Sequence, residues 1–132
     1  MPELSRAWLK PFSWEFVTEV NRGLCKQKNA LHKATSDGHD SARALWERSI
    51  SRKMTLTEAL QVCQRCHRLA LFCLYNGNTF AGIARDLIAD ISAGLIPDEA
   101  HILRSIAGHI VAGTSTDLEE KQFERMLRNL VK

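Results

Sequence analysis

TLTEALQVCQRCHRLALFCLYNGN, residues 55–78, is the stretch that decides the fold class. Its apolar side chains recur with gaps of three and four positions, the spacing of one buried face of an α-helix. Thr55 and Glu58 have the spacing of a capping box, so the helix is predicted to begin there. Gly77 is predicted to end it in the left-handed conformation. The positions of this apolar seam are Leu56, Leu60, Cys63, His67, Ala70 and Leu74.

The rest of the chain has the same helical periodicity, with no sustained alternation of the kind that marks a strand. The first helix is predicted over residues 13–33, and a short one follows the polar loop at 35–41. Two further helices are predicted to begin at Asn78 or Thr79 and at Pro97. The last helix follows a capping box at Thr116, and its apolar positions continue as far as Leu130 and Val131. The predicted fold is all-α, a compact bundle of five to six helices. Residues 1–132 are predicted to form a single domain, with 1–12 as an N-terminal arm or short helix packed on the bundle.

Charge is unevenly distributed along the 132 residues, whose formal net charge is +3. Residues 1–34 hold six basic and three acidic side chains, residues 35–78 six and four, and residues 79–132 six and eight. The basic first two-thirds favour an anionic partner. No apolar run reaches the roughly 18–20 residues of a membrane span. No signal peptide is recognisable, so we expect a cytoplasmic protein with reduced thiols and no membrane contact.

The five residues from Cys63 to His67 spell C-x-x-C-H, the attachment motif of c-type haem. The same Cys63, Cys66 and His67 lie on one side of a helix and would suit zinc if a fourth ligand came from elsewhere. A haem or metal protein is therefore the third functional hypothesis. The preferred interpretation is a pair of core thiols, because cysteine packs as a small apolar group. No cofactor and no metal are predicted.

Motifs of catalysis are missing from the sequence. It has no G-x-S-x-G, H-E-x-x-H or P-loop pattern. The histidines other than His67 are scattered, and no base can be assigned to Cys25 as a nucleophile. We therefore expect that the protein is not an enzyme.

Three tryptophans lie in the first third of the chain. They support the leading hypothesis, which is that the protein is a regulatory or adaptor module that binds a protein partner. Aromatic and arginine side chains dominate binding hot spots. The predicted interaction face is Trp8, Trp14, Trp46 and Arg48. The partner could also be a second copy of the chain, which would make a homodimer.

Basic side chains within residues 22–68 support the alternative, binding of RNA or DNA. A face of lysines and arginines neutralises phosphates, and its affinity falls steeply with salt. The side chains assigned to this face are Lys26, Lys28, Lys33, Arg43, Arg48, Arg52, Lys53, Arg65 and Arg68.

Overall fold

The chain folds around the helix that begins inside residues 55–78. The structure, a computed structural model, describes residues 5–131, apart from the side chains of Asp90, Leu130 and Val131. The predicted apolar positions at Leu130 and Val131, and residues 1–4 of the arm, lie outside the described residues. Over the described range the all-α prediction is confirmed. The helices are α1 (Trp14–Gln27), α2 (His39–Ser49), α3 (Leu56–Arg68), α4 (Asn76–Ala93), α5 (Pro97–Ala112) and α6 (Asp117–Val131).

One small sheet departs from the sequence prediction, which contains no strand. β1 (Ser5–Arg6) pairs antiparallel with β2 (Met54–Thr55). Two residues are too few to produce an alternating pattern, so periodicity could not reveal them. The pairing fixes the N-terminal arm against the start of α3. The arm buries Leu9 completely and accepts a hydrogen bond at the Phe12 carbonyl from the Trp46 indole N–H, 2.8 Å away.

Several helix boundaries lie where the sequence places them. The Thr55 hydroxyl accepts from the Glu58 amide at 3.1 Å, and the Glu58 carboxylate accepts from the Thr55 amide at 3.0 Å. These two bonds complete the predicted capping box, and the hydrogen bonds that the Glu58 carboxylate accepts from the Thr55 amide and then from the Thr55 side chain lower the pKa of Glu58. Thr116 and Glu119 make the same pair of bonds before α6. Gly113, with φ of 77°, ends α5 in the left-handed conformation.

The first helix ends at Gln27, six residues before the predicted end at Lys33. Asn29 takes a left-handed conformation with φ of 53°. Its amide donates to the Lys26 carbonyl, and the Ala30 amide reaches back to the Cys25 carbonyl at 2.8 Å. This hydrogen-bond pattern is a Schellman motif, in which asparagine can replace glycine. The prediction was wrong because helical periodicity alone gives no sign of this left-handed residue.

The central helix α3 also ends early, at Arg68, and Gly77 does not cap it. Ala70 has φ of 50°, and its carbonyl accepts from the Thr35 hydroxyl at 2.8 Å. Asn76 then bonds both the amide and the carbonyl of Phe72 and begins α4, so Gly77 lies inside that helix. The predicted seam is therefore correct as far as Cys63. Beyond it, His67 is half-buried, and Ala70 and Leu74 are exposed.

The core lies on both sides of α3, which packs against α2, α4 and α5. Within the described residues, four polar side chains are buried among the apolar ones, namely Asn21, Ser49, Thr79 and Ser92, and Asn21 links several segments. It donates to the Leu74 carbonyl at 2.8 Å and to the Thr79 hydroxyl at 3.1 Å, and it accepts from Nδ1 of His32 at 2.9 Å. Burial and the nearby Arg22 guanidinium lower the pKa of His32. This network ties α1 to the loops on either side of α2 and α3.

Within residues 5–131, no helix combines the length and the apolar character that a bilayer crossing requires.

Candidate functional site

The C-x-x-C-H motif lies in the core. Cys63 and Cys66 are fully buried, and the Cys66 thiol donates to the Ala42 carbonyl at 3.7 Å. Burial raises the pKa of Cys63 above its ordinary value and that of Cys66 to about 12, which keeps both thiols protonated. The ring of His67 packs on Gly77 of α4. Among the described residues no group of three His, Cys, Asp or Glu side chains is placed to hold a metal ion. This packing supports the interpretation of these thiols as core residues.

The three tryptophans do not form the exposed interaction face that the sequence suggested. Trp46 is fully buried and Trp14 is only 7% exposed, because both indoles fill the core between the arm, α1 and α2. Trp8 is half-buried beneath the Arg6 guanidinium, which lies 3.7 Å from the ring centroid. The predicted face is therefore corrected. Only Arg48 of the four residues assigned to it is exposed.

The nine basic residues of the alternative hypothesis are all exposed, but they do not share one groove. Arg43 is paired with Glu47 at 3.1 Å. Arg48, Arg65 and Arg68 line a single groove between α2 and α3. Besides Arg43, five of the nine basic residues lie outside this groove: Lys26, Lys28, Lys33, Arg52 and Lys53.

The α2–α3 groove has a volume of 690 Å³ and is both basic and apolar. α2 contributes positions 41, 44, 45 and 48, which is the spacing of one helical face. The other side is formed by positions 65 and 68 of α3 and by Leu69, the residue that caps this helix. Leu45 is partly buried, whereas Leu69 is 38% exposed. Over the described side chains, none of the three arginines has an ion pair, and no carboxylate lines the groove. The groove therefore offers unpaired positive charge beside apolar surface.

The close contact between the start of α2 and the end of α3 depends on Gly38. A Cβ atom at this position would lie 1.7 Å from the Leu69 carbonyl oxygen. The Gly38 amide donates to the Thr35 hydroxyl at 3.2 Å, and the same hydroxyl donates to the Ala70 carbonyl. This glycine thus lets the two helix ends meet and sets the width of the groove at that end.

Sequence reasoning named the three arginines of the groove but not its leucines. Leu45 lies three positions before Arg48, and Leu69 lies four positions after Arg65, so helical spacing places each leucine on the same face as an arginine. The predicted helix continues through Leu69 towards its cap at Gly77, whereas the real helix ends one residue before Leu69.

No protein-family model, no curated protein and no solved structure matches this chain.

Proposed function

We propose that the protein is a non-enzymatic, cytoplasmic binding module that holds an acidic, amphipathic helix of a protein partner in the α2–α3 groove. The observation that carries the proposal is the lining of this groove, where Arg48, Arg65 and Arg68 have no ion pair with any described side chain and lie beside Leu45 and Leu69. The leading hypothesis of a protein partner is kept, and its site moves from the tryptophans to this groove.

The charge of the groove favours carboxylates. A guanidinium binds a carboxylate with two parallel hydrogen bonds, and such charge-assisted bonds are stronger than neutral ones. An amphipathic helix that presents glutamates near Arg48 and Arg65 can place leucines against Leu69 on the same face. Helix-in-groove recognition uses this i, i+3, i+4 arrangement of anchors.

The groove lacks the parts of a catalytic site among its described residues. Among the described lining residues, Ser41 carries the only hydroxyl, and there is no histidine or carboxylate to activate that oxygen. Binding without chemical conversion is the activity that this lining supports.

Nucleic-acid binding is the second candidate, and one observation favours it. Three unpaired guanidiniums in one groove can bind phosphates as well as carboxylates. The leucines argue for the protein partner, because a sugar-phosphate backbone gains nothing from an apolar side chain at Leu69.

The test is fluorescence anisotropy with a labelled acidic amphipathic helical peptide and, separately, a labelled oligonucleotide. Arg48→Glu combined with Arg65→Glu should weaken peptide binding by about tenfold or more. Arg125→Glu combined with Arg128→Glu, the same double charge reversal at exposed positions on α6, is the matched control and should leave the affinity within about twofold.

Leu69→Ser separates the two candidates. It should weaken binding of the peptide and leave binding of the oligonucleotide unchanged. Tighter binding of the oligonucleotide, with a steep loss of affinity at higher salt, would establish the second candidate instead. Equilibrium sedimentation of the protein alone then distinguishes a foreign partner from a second copy of this chain.

A further inference from the structure

A second basic groove lies between α4 and α5. It has a volume of 530 Å³, and basic side chains from both helices line it: Arg85 from α4, and His101 and Arg104 from α5. It shares no residue with the α2–α3 groove. Each helix again contributes one face, because the lining positions on α5 are spaced at three and four residues.

The charge of this groove differs from that of its surroundings. Residues 79–132 carry eight acidic and six basic side chains, yet no described carboxylate lines the groove. Arg85, His101 and Arg104 make no ion pair with any described residue. Basic side chains are thus gathered, without counter-charges, into one concave surface of an otherwise acidic segment. Such an arrangement is complementary to an anionic occupant.

The shape of the groove fits a helix. Its walls include small residues such as Ala81 and Ser105, which let another backbone come close. At Gly108, a Cβ atom would meet nothing within 4 Å, so no contact inside the chain requires glycine there. Glycine in the interior of a helix costs about 0.5–1 kcal/mol relative to alanine. The open space in front of it belongs to the groove.

We propose that the α4–α5 groove is a second docking site, and that its occupant is an acidic helix of a protein partner with small side chains at the contact. In a symmetric dimer across this groove, Arg85 and Arg104 of one copy would lie against Arg85 and Arg104 of the other. These like charges would repel each other and oppose the contact. With two such grooves, the chain can hold two acidic segments at once. The inference stands on the α4–α5 groove alone and does not depend on occupation of the α2–α3 groove.

The experiment is a titration of the isotope-labelled full chain with a helical peptide rich in glutamate and alanine, followed by NMR. Amide shifts at Arg85, His101 and Gly108 are expected. Gly108→Leu should raise Kd about tenfold or more by filling the groove, with no loss of thermal stability because its Cβ points into open space. Gly23→Leu, the same change in the interior of α1 with nothing within 4 Å, is the matched control and should leave Kd unchanged.

Charge variants assign the binding to this groove. Arg85→Glu combined with Arg104→Glu should abolish the shifts, whereas Arg48→Glu should leave them in place. Loss of binding with Arg48→Glu alone would place this peptide in the α2–α3 groove and overturn the inference while leaving the proposed function intact. Absence of shifts at Arg85 and Gly108 at millimolar peptide, or tighter binding there of an oligonucleotide, would also overturn it.

Discussion

The side-chain amide of Asn21 donates to the backbone carbonyl of Leu74, 2.8 Å away across 53 positions of sequence. This bond joins the middle of α1 to the loop that precedes α4, where Tyr75 takes a left-handed conformation. The same amide group also donates to Thr79 in the first turn of α4. Asn21 therefore links α1 both to the loop that precedes α4 and to the first turn of α4.

Replacement of Asn21 by leucine should destabilise the fold. The Leu74 carbonyl and the Nδ1–H of His32, in hydrogen bonds that are partly buried, would lose their partner, and leaving a buried group unsatisfied costs up to about 1–3 kcal/mol. We expect a loss of about 3 kcal/mol in the free energy of unfolding, measured by urea denaturation. Asn129→Leu, an exposed asparagine on α6, should change it by no more than about 0.5 kcal/mol. Equal stability of the two variants would contradict the role assigned to Asn21.

Replacement of Gly38 by alanine tests the contact between α2 and α3. The added Cβ would lie 1.7 Å from the Leu69 carbonyl oxygen, so one of the two backbone segments must move. We expect a loss of about 3 kcal/mol, read from thermal or chemical unfolding. Gly23→Ala, in the interior of α1 with open space around it, should instead stabilise by about 0.5–1 kcal/mol. A Gly38→Ala protein as stable as the parent would show that the helix ends do not meet this closely.

The four thiols should separate into two classes by reactivity. Cys73 is exposed, whereas Cys25, Cys63 and Cys66 are buried. In the folded protein, a thiol reagent such as Ellman's reagent should label one cysteine rapidly, because the reactive species is an accessible thiolate. All four should react in denaturant, and Cys73→Ser should remove the fast phase. Rapid labelling of three or four thiols in the native state would contradict the buried placement of the C-x-x-C-H motif.

Lower pH should weaken the fold through His32. Its pKa in the folded protein lies below the ordinary value of 6.5, chiefly through burial and then through Arg22. The unfolded chain therefore takes up the proton more readily, so this contribution is complete above about pH 6.5 and is lost as the pH falls through the folded-state pKa. Melting temperatures from about pH 7.5 to about pH 5.5 should decline more in the parent than in His32→Gln, which keeps a side-chain donor. Parallel declines in both proteins would assign the effect to other groups.

The beginnings of the helices could be predicted because their determinants are close in sequence. Thr55 reaches Glu58, and Pro97 fixes its own backbone angle at the start of α5. The early end of α3 could not be predicted in this way. Ala70 is held in a conformation that alanine seldom adopts by the hydroxyl of Thr35, which lies 35 positions earlier.

The sequence could predict which basic residues the candidate groove contains, but not that they lie together. The sequence identifies Arg48, Arg65 and Arg68 as basic residues, but their meeting depends on how α2 packs against α3. Trp14 and Trp46 show the opposite case, in which a residue type common in binding hot spots serves the core. Residue type alone does not distinguish a buried indole from an exposed one.

The pairing of β1 with β2 has a kinetic consequence. It joins the first described residues to a strand that follows α2, so its few contacts close a long loop and gain little buried surface in return. We expect the helices to assemble first and the N-terminal arm to dock afterwards. By the same reasoning, the amides of this two-residue ladder should be among the first in the chain to exchange with deuterium, while the interior of α3 remains protected.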